Sequence, residues 1–360
     1  MDAISHSRPW ITEADVDAVA KVLASGMVVQ GERVRAFEAA VASWHGLPAE
    51  RAVAVGSGAA AIELSLAALG LGPGDEVVFP TYVCHSVLEA VRGVGATPIT
   101  CDVGPEWVVR PADVEPHVGP RTRALIIPHV YGVLADTPAF RRFGVAIVED
   151  CAQAFGPRGT ALHGDVAVFS FHATKCLTTG EGGMAVTTRP ELAAALRMRR
   201  DGGAGPDGRV LADRARTLSP MPDTSAALGL SQLGRYEAAL ARRRALWLRY
   251  RDRLGAIAPG LGAPPVAPLR FLLRVEGGVH AWGGDFLARG VHVRSGVDRL
   301  NHRLLGLPDR DFPVAARLLA TTVSLPLYPA LSDVQHERCV TAALEVLAKA
   351  VPAALTGTRA

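Results

Sequence analysis

Two short, almost wholly apolar runs, Val145–Val148 and Val166–Phe169, each give way abruptly to polar residues, and nothing else in the chain constrains its fold so tightly. The region reads V-A-I-V-E-D-C-A-Q-A-F-G and then D-V-A-V-F-S-F-H-A-T-K-C-L-T-T-G-E-G-G. Runs this brief and rich in Val fit strands buried on both faces of a parallel sheet. In open α/β sheets the ligand crevice lies outside the carboxyl ends of the strands. Asp150 and Gln153 are therefore expected just past one strand end, and Ser170 and Lys175 just past the other. An acid, an amide, a hydroxyl and a primary amine would then surround one crevice.

The same alternation runs through most of the chain. Helices are expected over Ile11–Ser25, with Thr12 as N-cap and Gly26 as terminator, and over Val34–His45. Strands are expected at the start of R-A-V-A-V-G-S-G, at Glu76–Phe79, Thr97–Cys101, Ala124–Pro128, Val145–Val148, Val166–Phe171 and Met184–Thr187, with a helix at Ser86–Val94 among them. Strands separated by helical segments imply an α/β fold: a mostly parallel sheet with helices on both faces and right-handed crossovers. A helix at Glu191–Arg200 leads into Asp201–Pro222, a Gly-, Arg- and Pro-rich stretch long enough to be a functional loop. One long helix, Ser225 to about Leu254, is expected to carry the chain from a large domain, residues 1–257, to a smaller C-terminal α+β domain, residues 258–360. That second unit should hold a strand at Leu269–Val275, a helix at Ala281–Arg289, a strand around Val291–Arg294 and a helix from about Ser332.

The four polar groups match what pyridoxal phosphate requires. A carboxylate such as Asp150 keeps the pyridine nitrogen protonated, and a lysine amine such as Lys175 forms the Schiff base. Taken singly, the acid could be a helix cap and the lysine a solvated loop residue; it is their joint spacing that carries chemistry. A second motif, A-V-G-S-G-A-A-A-I-E-L, is a strand, a small-residue turn and a helix. Ser57, Gly58 and Ala59 would let an anion meet free backbone N–H groups at the positive end of that helix. The motif also reads as G-x-G-x-x-A of a dinucleotide-binding fold, with Asp75 or Glu76 near the place of a ribose-binding acid. Against that reading, the acids follow a G-P-G-D-E turn and precede a strand, whereas a ribose-binding acid ends one.

Composition excludes other classes. The net charge of +3 is spread along the chain, so no basic block points to nucleic acid or a membrane surface. Arg242–Arg244, the densest cluster, falls on a helical pattern and is expected to form a solvated face. The opening M-D-A-I-S-H-S-R-P-W lacks the apolar core of a signal peptide, and no apolar stretch is long enough to span a bilayer. Five cysteines without a C-x-x-C pair fit reduced thiols in the cytoplasm. Neither they nor the eleven histidines have metal-ligand spacing, so no metal is expected.

The string E-D-x-A-Q-A, then F-S-F-H-x-x-K and G-E-G-G, resembles the pyridoxal-phosphate-dependent sugar aminotransferases of the DegT/StrS family, a branch of fold-type I. So do S-G-M-V-V-Q-G-E-R-V-R-A-F-E near the start, S-G-x-x-A-I with G-x-G-P-G-D-E-V, and A-A-L-G-L-S-Q-L. The resemblance spans roughly residues 8–350. It implies a seven-stranded sheet with one antiparallel strand, Lys175 as Schiff-base lysine and Asp150 as partner of the pyridine nitrogen. It places Gln153 beside the phenolic oxygen, and Ser170 with the Gly58–Ala59 backbone on the phosphate. It further implies a homodimer, an amino-acid donor (glutamate or glutamine) and a keto-sugar acceptor, nucleotide-linked. Three positions depart from the pattern. Cys84 stands where an aromatic often stacks on the cofactor ring, leaving Tyr82 or His85 as substitutes. Leu218 stands where an Asn reaches the neighbouring subunit's phosphate. Gly296 and Val297 replace a His-aromatic pair near the substrate. A non-sugar ketone as substrate, or a cofactor-bound sensor without turnover, are the alternatives these departures leave open.

Overall fold

A computed structural model describes residues 3–160, 162–202, 219–255 and 263–350. Its main sheet has seven strands: β1 (Ala52–Val55), β2 (Glu76–Pro80), β3 (Thr97–Cys101), β4 (Thr122–Pro128), β5 (Ala146–Asp150), β6 (Val166–Ser170) and β7 (Gly183–Val186). Their order across the sheet is β1-β7-β6-β5-β4-β2-β3. β7 runs antiparallel to both of its neighbours, and the remaining pairs are parallel. This is the fold-type I sheet that the motifs implied. β1 and β7 are buried along their whole length, as expected of strands covered on both faces.

Helices α1 (Glu13–Ser25) and α2 (Glu32–Trp44) precede the sheet, and α3 (Gly58–Ala68) and α4 (Ser86–Gly93) follow β1 and β2. One face of the sheet packs Val53, Val55, Val148 and Val168 against Ile62 and Leu66 of α3 and Leu88 of α4. The other packs Ala54, Phe169 and Val186 against Phe37 and Val41 of α2. α1 starts as expected after Thr12, whose backbone N–H donates to Asp15 (2.8 Å), and stops at Gly26 in the left-handed region. α2 starts at Gly31, which has no side chain to cap it. Asp223, distant in sequence, accepts the N–H groups of Gly31 (2.8 Å), Arg33 (3.1 Å) and Val34 (3.0 Å) instead. A carboxylate at a helix N-terminus satisfies orphan donors and complements the dipole.

Several expectations need correction. The single long helix is two, Asp223–Gly234 and Tyr236–Leu254, broken where Arg235 leaves helical geometry (φ −120°, ψ 13°). Its guanidinium binds the Asp15 carboxylate and the Trp10 carbonyl, which ties the break to the N-terminal segment. Arg242–Arg244 is a solvated face only in part: Arg244 is exposed and Arg242 pairs with Asp333 at the surface (2.7 Å), but Arg243 is buried and donates to the Leu327 carbonyl (2.8 Å). The periodicity of that helix puts one arginine of three inward, where backbone carbonyls satisfy it. Residues 203–218 of the expected loop, Leu218 among them, and the expected boundary at Ala258 lie outside the described residues.

A second, two-stranded antiparallel sheet joins β8 (Phe271–Arg274) to β9 (Thr322–Leu325). β9 and the helix before it, Pro313–Thr321, were not read from the sequence. The strand expected around Val291–Arg294 is reduced to isolated bridges, Ile4 with Val291 and Arg294 with Ser324. The core beneath this sheet joins Phe271, Leu273 and Val323 to Val340 and Val346 of the helix Asp333–Ala350. It also takes in Leu246, Trp247, Tyr250 and Leu254, and Ile4 from the far end of the chain. Ile4 is held by backbone bonds to Gly290 (2.7 Å) and His292 (3.0 Å), which brings Ser5, His6 and Ser7 to the crevice between the two sheets. Among the described residues no helix is long and apolar enough to cross a membrane.

Candidate active site

A cavity of about 1060 Å³ opens where the strands of the main sheet end. Its wall includes every residue that the sequence assigned to the cofactor: Ser57, Gly58, Ala59, Asp150, Gln153, Ser170 and Lys175. Asp150 closes β5 and Ser170 closes β6, so the expected strand ends are where the chain turns polar. Lys175 follows on the turn after β6, its backbone N–H held by the His172 carbonyl (2.9 Å).

The electrostatics of this pair follow from burial. Withdrawal from water pushes the Lys175 amine below the usual lysine range, against the pull of the Asp150 charge. Burial likewise pushes the Asp150 carboxyl up, opposed by the Ala152 N–H, Lys175 and His129. One Asp150 oxygen accepts the Ala152 N–H (3.0 Å). Its other oxygen has no donor among the described residues. A buried carboxylate is costly until a cation or donor meets it, so Asp150 is ready for one arriving from the cavity.

Behind Asp150, the preceding residue on β5 faces the other way. Glu149 is buried and accepts from the backbone of His163 (2.7 Å) and Gly164 (2.8 Å) and from His129 Nε2 (3.3 Å). His129 Nδ1 accepts the Ala135 N–H (3.1 Å), which leaves its proton on Nε2, toward Glu149. Burial alone would raise the Glu149 carboxyl, but the His129 bond and the Gly164 N–H outweigh it and bring it down to about 2. The end of β5 is thereby pinned from the rear.

The phosphate-cradle motif folds as its residues suggest. Ser57 is the N-cap of α3 and its hydroxyl accepts the Ala60 N–H (3.1 Å), while Gly58 and Ala59 supply the first N–H groups of the helix. A Cβ on Gly58 would lie 2.7 Å from the Ser170 Cβ, and one on Gly183 would lie 2.2 Å from the Ser57 carbonyl oxygen. These two glycines let α3, β6 and β7 close on one another, which accounts physically for the second G of G-S-G-A and the last G of G-E-G-G. The rival dinucleotide acids are elsewhere: Asp75 closes its own turn on the Gly72 N–H (2.9 Å), and Glu76 pairs with Arg121 at the start of β2. That is the end of the sheet away from the crevice.

Gln153 is aimed by a strained neighbour. Tyr131 holds a left-handed backbone (φ 60°) and donates its N–H to Gln153 Oε1 (3.0 Å). Of the two ends of an amide only the oxygen accepts an N–H, so the Gln153 NH₂ is left to donate. Of the candidates for the ring face, Cys84 and His85 are exposed along the cavity wall, whereas Tyr82 is wholly buried against Tyr131. Gly296 and Val297 also line the cavity. A Cβ at Gly296 would lie 1.9 Å from the Tyr82 hydroxyl oxygen and 2.3 Å from that of Tyr131. The two hydroxyls occupy the space that a larger residue at 296 would need.

Arg270, Arg294, Arg299, His6 and His292 also line the cavity, from the β8–β9 side. Sequence reasoning missed them. The one signal was a charged residue, Arg270, immediately before an apolar strand.

Residues 9–269 match the model of the DegT/DnrJ/EryC1/StrS aminotransferase family. The chain belongs to that family. Among solved structures, it is similar to the aminotransferase TlmJ from Streptoalloteichus hindustanus, with 32% identity over 96% of this chain and 99% of that one (TM-score 0.87). DesV of S. venezuelae, solved in complex with a ketimine intermediate, shares 33% identity over 92% of this chain and 94% of its own (TM-score 0.84). Spr1654 of Streptococcus pneumoniae, assigned as a sugar aminotransferase and solved in its PMP form, shares 25% identity over 97% and 98% (TM-score 0.87). The chain is a pyridoxal-phosphate-dependent aminotransferase of fold-type I. The residues present fit the cofactor: a half-buried amine, a buried acid with an open oxygen and a helix N-terminus face one space.

Proposed function

We propose that this aminotransferase moves an amino group from an amino-acid donor, glutamate or glutamine, to a keto-sugar carried on a nucleotide, in sugar or natural-product biosynthesis. The observation that carries the reading is a single large cavity with two unlike walls. Lys175, Asp150 and the α3 N-terminus stand on one side, and a polar, cationic wall with room for a large hydroxylated substrate stands on the other.

When bound, pyridoxal phosphate supplies a carbonyl that condenses with amines and a ring that withdraws electrons from the reacting carbon. Lys175 is the residue assigned to hold it and to move the proton at the donor's α-carbon. Burial keeps more of its amine in the neutral, basic form at neutral pH than a solvated lysine would have. Asp150 would keep the ring nitrogen protonated, Gln153 would donate through its NH₂ to the phenolic oxygen, and the N–H groups of Gly58 and Ala59, with the hydroxyls of Ser57 and Ser170, would hold the phosphate. The dinucleotide and sensor readings have no such observation behind them.

One finding favours a second reading, a non-sugar ketone. The Tyr82 and Tyr131 hydroxyls fill the space beside Gly296 where the family resemblance implies a His-aromatic pair. Purified protein, loaded with cofactor and offered nucleotide-linked keto-sugars beside keto-acids and cyclic ketones, decides between them by the balance of 2-oxoglutarate formed. Turnover confined to the non-sugar set would replace the first reading with the second.

A homodimer belongs to the same proposal. Its support is an apolar strip left uncovered on the N-terminal segment: Val16 is 59% exposed, Met27 69% and Val29 69%. Light scattering of the active enzyme should return twice the chain mass.

A further inference from the structure

Among the described residues only two that are not glycine hold a left-handed backbone, and their rings meet. Trp107, in the stretch after β3, has φ 67°, and Tyr131, in the turn after β4, has φ 60°. The rings stand edge to face with centroids 6.1 Å apart. Such a backbone is unfavourable for an aromatic residue and persists only where the surroundings over-determine it. Around Tyr131 they do. The Val266 N–H donates to the Gly132 carbonyl (3.2 Å), and a Cβ on Gly132 would lie 2.0 Å from the Ala267 carbonyl oxygen. The Tyr131 ring is buried in the core that joins the two sheets, with Tyr82, Leu272, Val297 and Phe312. Trp107 is fixed in turn from the small sheet. Its Nε1–H donates to Thr322 Oγ1 (3.3 Å), and the Arg274 guanidinium lies 4.5 Å over its ring.

The two ends of Tyr131 reach different walls. Its main-chain N–H donates to Gln153 Oε1 (3.0 Å) on the sheet side. Its hydroxyl donates to that of Tyr82 (3.4 Å) and lies directly behind Gly296 on the facing side, where a Cβ would come within 2.3 Å of it. The left-handed backbone is what points the N–H at Gln153. Turned to an ordinary helical or extended conformation, the peptide would swing that donor away, and the Gln153 amide could flip end for end. Resting on the aminotransferase reading above, in which Gln153 donates to the phenolic oxygen of the cofactor, we propose that Tyr131 is a positioning residue coupling the two walls. Packing behind Gly296 holds the ring, the ring holds the strained backbone, and the backbone holds Gln153 with its NH₂ toward the cofactor. Whatever presses on the wall at Gly296 is then felt at the cofactor oxygen.

The test follows the absorbance of the lysine-bound cofactor against pH, without substrate. A donor stabilises the anionic phenolic oxygen most when no proton is shared with it, and so favours loss of the proton from the adjoining nitrogen. Gln153→Ala should therefore raise the pH at which the band changes by about one unit, the size expected for a hydrogen bond to a charged group. Gly296→Ala should raise it in the same direction. Other charged and titratable groups line the cavity, Asp150, His172, Glu181, Arg270 and His292 among them, so the comparison is repeated with Gln153→Ala in the same chain. There Gly296→Ala should move the band no further. Tyr82→Phe/Tyr131→Phe, which clears both oxygens, should bring Gly296→Ala back toward wild type.

A Gly296→Ala titration equal to wild type overturns the proposal, as does a shift that is just as large without the Gln153 amide. Should Gly296→Ala fail to fold by thermal melt, two substitutions at 131 decide. Asn tolerates a left-handed backbone and Val does not, so Tyr131→Asn should keep the wild-type titration and Tyr131→Val should raise it. Equal titrations in those two overturn the proposal. The levels separate within the same experiment. No lysine-bound band in wild type sinks the aminotransferase reading. A normal band that Gln153→Ala leaves in place sinks the placing of Gln153 and this coupling together. A band moved by Gln153→Ala but not by Gly296→Ala sinks this inference alone.

Discussion

On the sheet side of the cavity, Asp150, Gln153, Ser170 and Lys175 come from one short span of chain, each set by the end of a parallel strand. On the facing side, His6, Arg270, Arg294 and Gly296 come from three distant stretches. His6 and Arg294 are placed by isolated bridges and single hydrogen bonds, and Arg270 by the end of the short β8–β9 ladder, rather than by the main sheet. The first wall is pinned from behind by Glu149 and His129 and closed by glycines that admit no side chain. The second holds Arg270, which among the described residues has no carboxylate at ion-pair distance and donates only to the Ser295 carbonyl (3.5 Å). The contrast separates two requirements. Groups that hold and activate a cofactor have to be fixed within tenths of an ångström, which continuous strands provide. Groups that recognise a substrate can be carried on less regular segments, which are easier to exchange without disturbing the sheet.

If that division is right, damage on the sheet side should abolish chemistry. Lys175→Ala should show no lysine-bound cofactor absorbance and a rate lower by on the order of a thousandfold or more, because one amine serves as nucleophile and base. Near-normal turnover in that variant would dissolve the distinction between the walls. Asp150→Asn should still bind cofactor, yet lose roughly a hundredfold in rate, since an amide cannot stabilise a protonated ring nitrogen. Absorbance titration and single-turnover kinetics read the two effects separately.

On the facing side the largest effect should be on packing. Gly296→Ala drives a methyl into the Tyr82 and Tyr131 hydroxyls and should cost about 1–3 kcal/mol in denaturant unfolding. Tyr82→Phe in the same chain removes the closer oxygen and should restore part of that loss. No recovery would mean that the hydroxyls do not set the shape of this wall.

The smallest effect concerns the rear of the sheet wall and is read by pH. Glu149 is depressed from 4.5 to about 2 in the folded chain, so its contribution is complete above pH about 4.5. It is lost as pH falls from there toward about 2. Glu149→Gln should flatten stability across that window and leave the cofactor absorbance at neutral pH in place. An unchanged acid limb in the variant would assign acid unfolding to other groups.

How much of this was legible beforehand tracks sequence distance. Val145–Asp150 and Val166–Ser170 could be read as strand ends because their apolar runs stop at the polar residues the crevice uses. The sheet with its one antiparallel strand came with the family resemblance. The small sheet was only half visible. β9 is four residues long, and its T-V-S-L alternation is too brief to stand out from the helix before it. The inward turn of Arg243 and the break at Arg235 were hidden for a related reason. Both depend on partners, the Leu327 carbonyl and Asp15, that are far away along the chain.

The amino-acid sequence by itself determined the strand and helix alternation and the polar residues at the strand ends that are proposed to hold the cofactor. Each of these is encoded by neighbours in the chain, through apolar period, turn residues and spacing. Tertiary structure alone decided that Tyr82 and Tyr131 shape the pocket beside Gly296, that His6 crosses from the N-terminal segment, and that Arg270 has no carboxylate at ion-pair distance among the described residues. Those facts depend on which groups, distant along the chain, meet at one point in space, and no local pattern records that meeting.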